Sequence, residues 1–300
     1  DPEVYGEYLY SSNRYINHPT NKPISTGPVK IIDGSLFVNN KPFSVKGVGY
    51  QPIPIGLSAA TPNGTNVIFN TPTIYNRDFP LLRNMSANTI RTWAKVTNVS
   101  FLDAAYNNGN QSIYVIMGLW IIPTLNLSNP TVRQNILDEF ENYVMMYKDH
   151  PAVLIWAIGN EVNLFYTGNI SDWYSLANEM AELAYNIEGL TYHPTMIVNG
   201  HMLYFGDIDK DSDDSSLNFV DMWGHNTFPG REFNCYFDYY ETITAKPLVL
   251  TEFGVDAYNM TAMSSTPEYE AVHADWIVHQ WRQIANNSVG GTVFEYSDEW

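Results

Sequence analysis

The chain has 300 residues, 45% apolar and 16% charged, a balance that builds a packed core and not a disordered segment. Lys and Arg number 15 against 32 Asp and Glu, a net charge of −17, which argues against nucleic acid and anionic membrane surfaces as partners. No apolar run reaches the length of a membrane span, and the single cysteine, Cys235, rules out a disulfide within the chain.

Residues 1–28, rich in Tyr, Asn and Pro and without periodicity, read as an extended arm lying on the domain or on a neighbour. A hairpin follows, with Val29–Ile32 and Leu36–Val38 flanking the turn pair Asp33-Gly34, and Asn39-Asn40 turns the chain again. Apolar, β-rich runs then recur at 44–50, 88–93, 112–119, 152–158, 194–199, 219–224, 247–252 and 291–296. Helical patterns lie between them. In 131–148, Val132, Ile136, Phe140, Val144 and Tyr147 share a face, and in 267–286, opened by Pro267, Tyr269, Val272, Trp276, Trp281 and Ile284 do the same. The stretch 170–188 opens on Ser171-Asp172, a plausible cap, while the acidic segment 201–218 reads as a loop replacing a full helix.

Eight strands alternating with helices make an α/β fold, the (β/α)8 TIM barrel, over residues 29–300. A doubly wound sheet would carry a glycine-rich phosphate turn and a helix start after its first strand, but here that strand runs into Gln51-Pro52. Only Ser297–Trp300 follow the eighth strand, so the barrel is expected to lack its last helix. A further segment of a longer chain, the arm, or a neighbouring subunit is expected to cover that flank, because a bare apolar patch is avoided in water.

In such a barrel the strand C-termini converge on one face and carry the chemistry. Strand two ends in Arg91-Thr92-Trp93, strand three in Leu119-Trp120, strand four in Gly159-Asn160-Glu161, strand six in His225-Asn226-Thr227-Phe228, strand seven in Thr251-Glu252, and strand eight in Glu295-Tyr296. Two carboxylates across a cleft are what glycosidic bond cleavage needs, one to protonate the leaving oxygen and one to attack the sugar carbon or activate water. Arg91 either supports the second carboxylate by its charge or forms a structural ion pair. Tyr50, Trp93, Trp120, Trp223 and Tyr296 offer ring faces for stacking sugars, although most aromatics in a chain this rich in them are core. His225 reads equally as a substrate contact or a structural hydrogen bond, and Cys235 as an idle or buried thiol or an interchain disulfide. The run Asp207–Asp213 has calcium-loop spacing but lacks the glycine at its sixth position (Ser212) and the glutamate at its twelfth (Asn218), which favours a solvated acidic loop. No metal or cofactor is implied.

Trp156-Ala157-Ile158-Gly159-Asn160-Glu161 and Thr251-Glu252-Phe253-Gly254 resemble the acid/base and nucleophile signatures of clan A retaining glycoside hydrolases, families 2 and 72 above all. Lys46-Gly47-Val48-Gly49-Tyr50-Gln51, Arg77-Asp78-Phe79-Pro80-Leu81-Leu82 with Asn88-Thr89-Ile90-Arg91, and Gly290–Tyr296 are similar to segments of the family 72 β-1,3-glucan transglycosylases. The resemblance implies Glu161 as general acid/base, Glu252 as nucleophile, Arg91 as its electrostatic partner, and Asn160 as a contact to the hydroxyl beside the reacting carbon. Asn226, Tyr50, Trp120 and Tyr296 complete the expected substrate-binding or supporting set. The implied substrate is a β-glucan-like polysaccharide or oligosaccharide, of the kind found in cell walls. Such enzymes usually carry a Tyr two residues after the strand-six Asn, where it hydrogen-bonds the nucleophile, and here Phe228 stands there. Tyr296 is one group that could substitute. The alternative reading is a non-catalytic barrel serving as a structural or carbohydrate-binding module in an extracellular assembly.

Sequons stand at Asn63, Asn84, Asn98, Asn110, Asn126, Asn169, Asn259 and Asn286, about twice the number that chance gives. They favour a secreted glycoprotein over mere asparagine richness.

Overall fold

The structure, a computed structural model, describes residues 20–57, 68–258 and 264–297. An antiparallel sheet comes first, β1 (Val29–Ile32), β2 (Ser35–Val38) and β3 (Lys41–Pro42), with Val29 opposite Val38 and Phe37 opposite Pro42. Its two tight turns need left-handed backbone, and Asp33, Gly34, Asn39 and Asn40 all take positive φ.

Eight parallel strands then close into a barrel: β4 (Val45–Gly49), β5 (Thr89–Arg91), β6 (Tyr114–Leu119), β7 (Val153–Ile158), β8 (Thr195–Gly200), β9 (Met222–Asn226), β10 (Leu248–Phe253) and β11 (Gly290–Val293). Each pairs with its sequence neighbours and β11 pairs with β4, as in the expected (β/α)8 fold. The crossovers hold α1 (Pro72–Asn84), α2 (Val99–Tyr106), α3 (Pro130–Tyr147), the short α4 (Val162–Phe165), α5 (Ile170–Glu188), α6 (Tyr236–Ile243) and α7 (Pro267–Asn287). Between β8 and β9 the acidic segment forms only a 3-10 turn at Ile208–Lys210.

Local chemistry explains most boundaries. Pro72, Pro130 and Pro267 open helices, where their missing N–H costs nothing. The cap of α5 is Asn169, whose side chain accepts from Ser171 N, and not Ser171-Asp172, which fall inside the helix. Strand β9 begins at Met222 and not at 219, because Phe219 O and Val220 O accept from the side chains of Thr195 and Lys246.

Two apolar layers result. Inside the barrel's N-terminal end, Val45, Ile116, Met196, Met222 and Val249 pack with Val29, Leu36 and Val38 of the small sheet, which plugs that mouth. Outside the strands, Tyr50, Tyr75, Phe79 and Phe101 pack ring to ring beneath α1 and α2, each contact worth about 0.5–1.5 kcal/mol beyond area burial. Residues 20–28 lie under β8 and β9: Lys22 Nζ pairs with Asp221 at 2.6 Å, and Thr26 N donates to Leu190 O. The arm 1–28 is the first candidate to cover the β11–β4 flank, but its described part, residues 20–28, lies here instead, and residues 1–19 lie outside the described residues.

Candidate active site

Side chains two apart on a strand share a face. Arg91 ends β5, and Trp93 two residues on turns the same way, so both reach one carboxylate. Arg91 Nη1 donates to Glu252 Oε1 at 2.6 Å, and Trp93 Nε1 donates to the same oxygen at 2.7 Å. The guanidinium lies over the indole, 4.9 Å from the ring centroid. Glu252 Oε2 makes no hydrogen bond among the described residues.

From Arg91 a polar chain crosses the barrel mouth. Arg91 Nη2 donates to Asn160 Oδ1 at 2.5 Å. Asn226 Nδ2 donates to that same Oδ1 at 3.1 Å and to Glu161 Oε1 at 3.0 Å, while Asn226 Oδ1 accepts from Thr251 Oγ1 at 2.8 Å. Glu252, Arg91, Asn160, Asn226 and Glu161, from the ends of four strands, thus form one hydrogen-bonded constellation.

Glycines make room for Glu161. At the end of β7, Gly159 has φ 68 and a Cβ there would come within 2.6 Å of the Trp173 ring. A Cβ on Gly200 of β8 would come within 2.9 Å of the Glu161 carboxyl. Glu161 itself has φ 52, a conformation that costs a non-glycine residue about 1–2 kcal/mol. Burial pushes its carboxyl above the ordinary glutamate range; the Asn226 hydrogen bond opposes this and the Glu252 charge adds to it. One carboxylate bound by a cation beside another biased toward its protonated form is the division that two-carboxyl chemistry requires.

The description "Glycosyl hydrolases family 2, TIM barrel domain" matches residues 29–300. The chain belongs to this family. It is 24% identical over 247 residues to a beta-glucuronidase of Mus musculus, covering 78% of this chain and 34% of that protein. It is 22% identical over 299 residues to a 1,3-beta-glucanosyltransferase of Schizosaccharomyces pombe, covering 91% of this chain and 61% of the relative. Among solved structures, a Bifidobacterium dentium beta-glucuronidase complexed with coumarin-3-O-glucuronide superposes with a TM-score of 0.68 at 20% identity, over 90% of this chain and 43% of that one. These likenesses agree with a family 2 barrel, and the chain spans about a third of the length of the mouse relative.

Other expected site residues fall elsewhere. Tyr50 is 1% exposed, its hydroxyl donating to Asp78 Oδ2 at 2.9 Å, so it offers no face to a sugar. Trp223 is likewise core, against Tyr174 and Phe205. Tyr296 is half-buried with its ring against Tyr50, and Asp78 helps hold its hydroxyl above the ordinary tyrosine range after burial. It does not replace the missing tyrosine. Trp93 supplies the second donor instead, a role unread in the sequence although alternation from Arg91 carries the signal. Trp120 stands exposed beyond β6, and Phe228 is exposed against Phe294, whose ring meets Trp93 edge-on.

His225 is a structural residue: Nδ1 bonds the Tyr236 hydroxyl, and burial pushes its pKa down to about 3. Cys235 is exposed and free. The acidic run spends its carboxylates locally, Asp207 on Asp209 N and Asp213 on Ser215 and Ser216. No group of His, Cys, Asp and Glu among the described residues could hold a metal, and no described helix is long and apolar enough to cross a membrane. Of the sequons, Asn84, Asn110, Asn126, Asn169 and Asn286 are exposed and Asn98 is half-buried, while Asn63 and Asn259 lie outside the described residues.

Proposed function

We propose that this barrel is the catalytic domain of a secreted, retaining β-glycoside hydrolase or transglycosylase acting on a neutral, β-glucan-like polysaccharide. The observation that carries the reading is the contrast between Glu252, tied through Oε1 to Arg91 and Trp93 with Oε2 open, and Glu161, whose carboxyl burial favours the proton. Glu161 gives its proton to the leaving oxygen as Glu252 Oε2 attacks the anomeric carbon and forms a glycosyl ester. Glu161, now a base, takes a proton from water or from a sugar hydroxyl, whose oxygen displaces Glu252. Asn160 has its Oδ1 engaged by Arg91 and Asn226, which leaves its amide N–H groups for the hydroxyl beside the reacting carbon.

Charge supports a neutral sugar over a glucuronide. A uronate calls for a cation, but the basic residues near this mouth face carboxylates of their own. Arg91 bonds Glu252, Lys95 bonds Glu139, and Arg231 bonds Glu232 and Asp275. Exposed Trp120 and Phe228 on the loops after β6 and β9, and Phe165 at the end of α4, supply apolar faces for sugar rings. The exposed sequons support export and glycosylation, and at Asn126 and Asn169 Oδ1 accepts a local hydrogen bond while Nδ2 stays available for a glycan.

The test is to incubate the protein with an activated 2-deoxy-2-fluoro-β-glucoside and locate the added mass. A glycosyl ester on Glu252 is expected, with turnover of aryl β-glucosides and β-glucans well above that of aryl β-glucuronides. Oligosaccharide binding without turnover over days would sink the catalytic reading in favour of a binding module, and preference for the glucuronide would sink the neutral substrate. Loss of mass on enzymatic removal of N-glycans from the exported protein checks the glycoprotein assignment.

A further inference from the structure

We propose that Trp93 is a positioning residue for the nucleophile, its indole N–H holding one oxygen of Glu252 so that the other is presented for attack. This rests on the proposed role of Glu252. Three observations carry it. Trp93 Nε1 lies 2.7 Å from Glu252 Oε1, on the same oxygen that Arg91 Nη1 binds at 2.6 Å, so the two donors fix which carboxylate oxygen is left to attack. Phe228, where the hydroxyl donor would stand, has no polar atom and packs on Phe294. The barrel is also shaped for the indole: a Cβ on Gly49, the last residue of β4, would come within 2.4 Å of Trp93 Cη2, and Phe294 packs edge-on against the ring at 5.7 Å.

The chemistry follows from the donor. A hydrogen bond to a carboxylate favours its charged form and fixes its rotamer. The charged and titratable groups facing Glu252 are Arg91 from β5 and Glu161 from the end of β7, with neutral Asn160 and Asn226 between them. Arg91 supplies charge, and Trp93 adds direction from the side of the mouth where Phe228 cannot.

Trp93→Phe keeps a ring and removes the N–H. Its kcat is expected to fall roughly 10- to 100-fold with little change in KM, because the nucleophile loses the donor that fixes its reactive oxygen. Gly49→Ala should push the ring off the carboxylate and lower kcat in the same way, whereas Phe294→Leu, which keeps the N–H, should cost kcat far less. A kcat unchanged in both Trp93→Phe and Gly49→Ala would overturn the proposal. A readout independent of turnover is the ¹⁵N-labelled indole signal that Trp93→Phe removes. It is expected at the low-field position of a charge-assisted hydrogen bond in the wild type and to move upfield in Glu252→Gln, where a neutral amide oxygen replaces the carboxylate. A signal indifferent to Glu252→Gln makes Trp93 a packing residue and overturns the proposal, whether or not the wild type turns over any glycoside.

Discussion

The barrel carries a buried ion pair at each mouth. At the N-terminal mouth Lys22 meets Asp221, and the same Asp221 oxygen also accepts from Thr195 N at 2.7 Å and Thr195 Oγ1 at 3.0 Å. This pair ties the arm to β8 and β9 across 199 positions of sequence, and the Lys22 ammonium lies 4.5 Å from the Tyr192 ring centroid. At the C-terminal mouth Arg91 meets Glu252, and here the donors to the carboxylate are both side chains. One oxygen of each glutamate and the amide nitrogen of Asn160 have no partner among the described residues. Both pairs are nearly dry, so burial does not distinguish them. What does is whether the donors join segments of the chain or leave capacity for something from outside, since buried polar groups are otherwise satisfied from within.

The comparison breaks most visibly at Glu252. Glu252→Gln should lower turnover by at least about 10⁴-fold, because an amide forms no glycosyl ester, with a smaller loss of stability than at the other mouth, since the amide oxygen still accepts from Arg91 and Trp93; a loss as large as that of Lys22→Met would make the Arg91–Glu252 pair a staple like the one below. Glu161→Ala should slow substrates with poor leaving groups by about 10²- to 10⁴-fold and activated aryl glycosides far less, read as a split in kcat between the two classes. Lys22→Met tests the other mouth. Stranding Asp221 should cost about 3–5 kcal/mol of stability in denaturant unfolding, with kcat per folded molecule unchanged.

The smallest effect concerns pH. The folded-state pKa of Glu161 is raised, so folding is disfavoured once the pH climbs above the ordinary glutamate range, where the unfolded chain has already released the proton. Glu161→Gln should therefore raise the melting temperature at neutral pH by on the order of 1–2 °C, small because solvent screens this half-exposed side chain. Below the ordinary range both states hold the proton and the gain should vanish. A melting difference that persists there would assign it to packing.

The barrel was legible because its strands are short apolar runs with helical periodicity between them, and each of the eight runs overlaps an observed strand. Asn160, Glu161, Asn226 and Glu252 stood out as polar residues ending apolar strands, where burial must be compensated. What misled was reading every aromatic near a strand end as facing the mouth. Tyr50 is one step from Gly49 and Trp223 is one step from Met222, so alternation turns both outward under the helices, while Trp93, in step with Arg91, turns in. The α5 cap was misplaced because Asn169 and Ser171 are both good caps, and only the path of the chain chooses between them.

The left-handed backbone at Glu161 has an evolutionary consequence. Glycine adopts φ 52 at no steric cost and asparagine or aspartate at little, so three substitutions at this position release free energy that the glutamate holds. A library of this chain propagated for stability alone, with no demand for turnover, should lose the glutamate there early and settle on a shorter side chain.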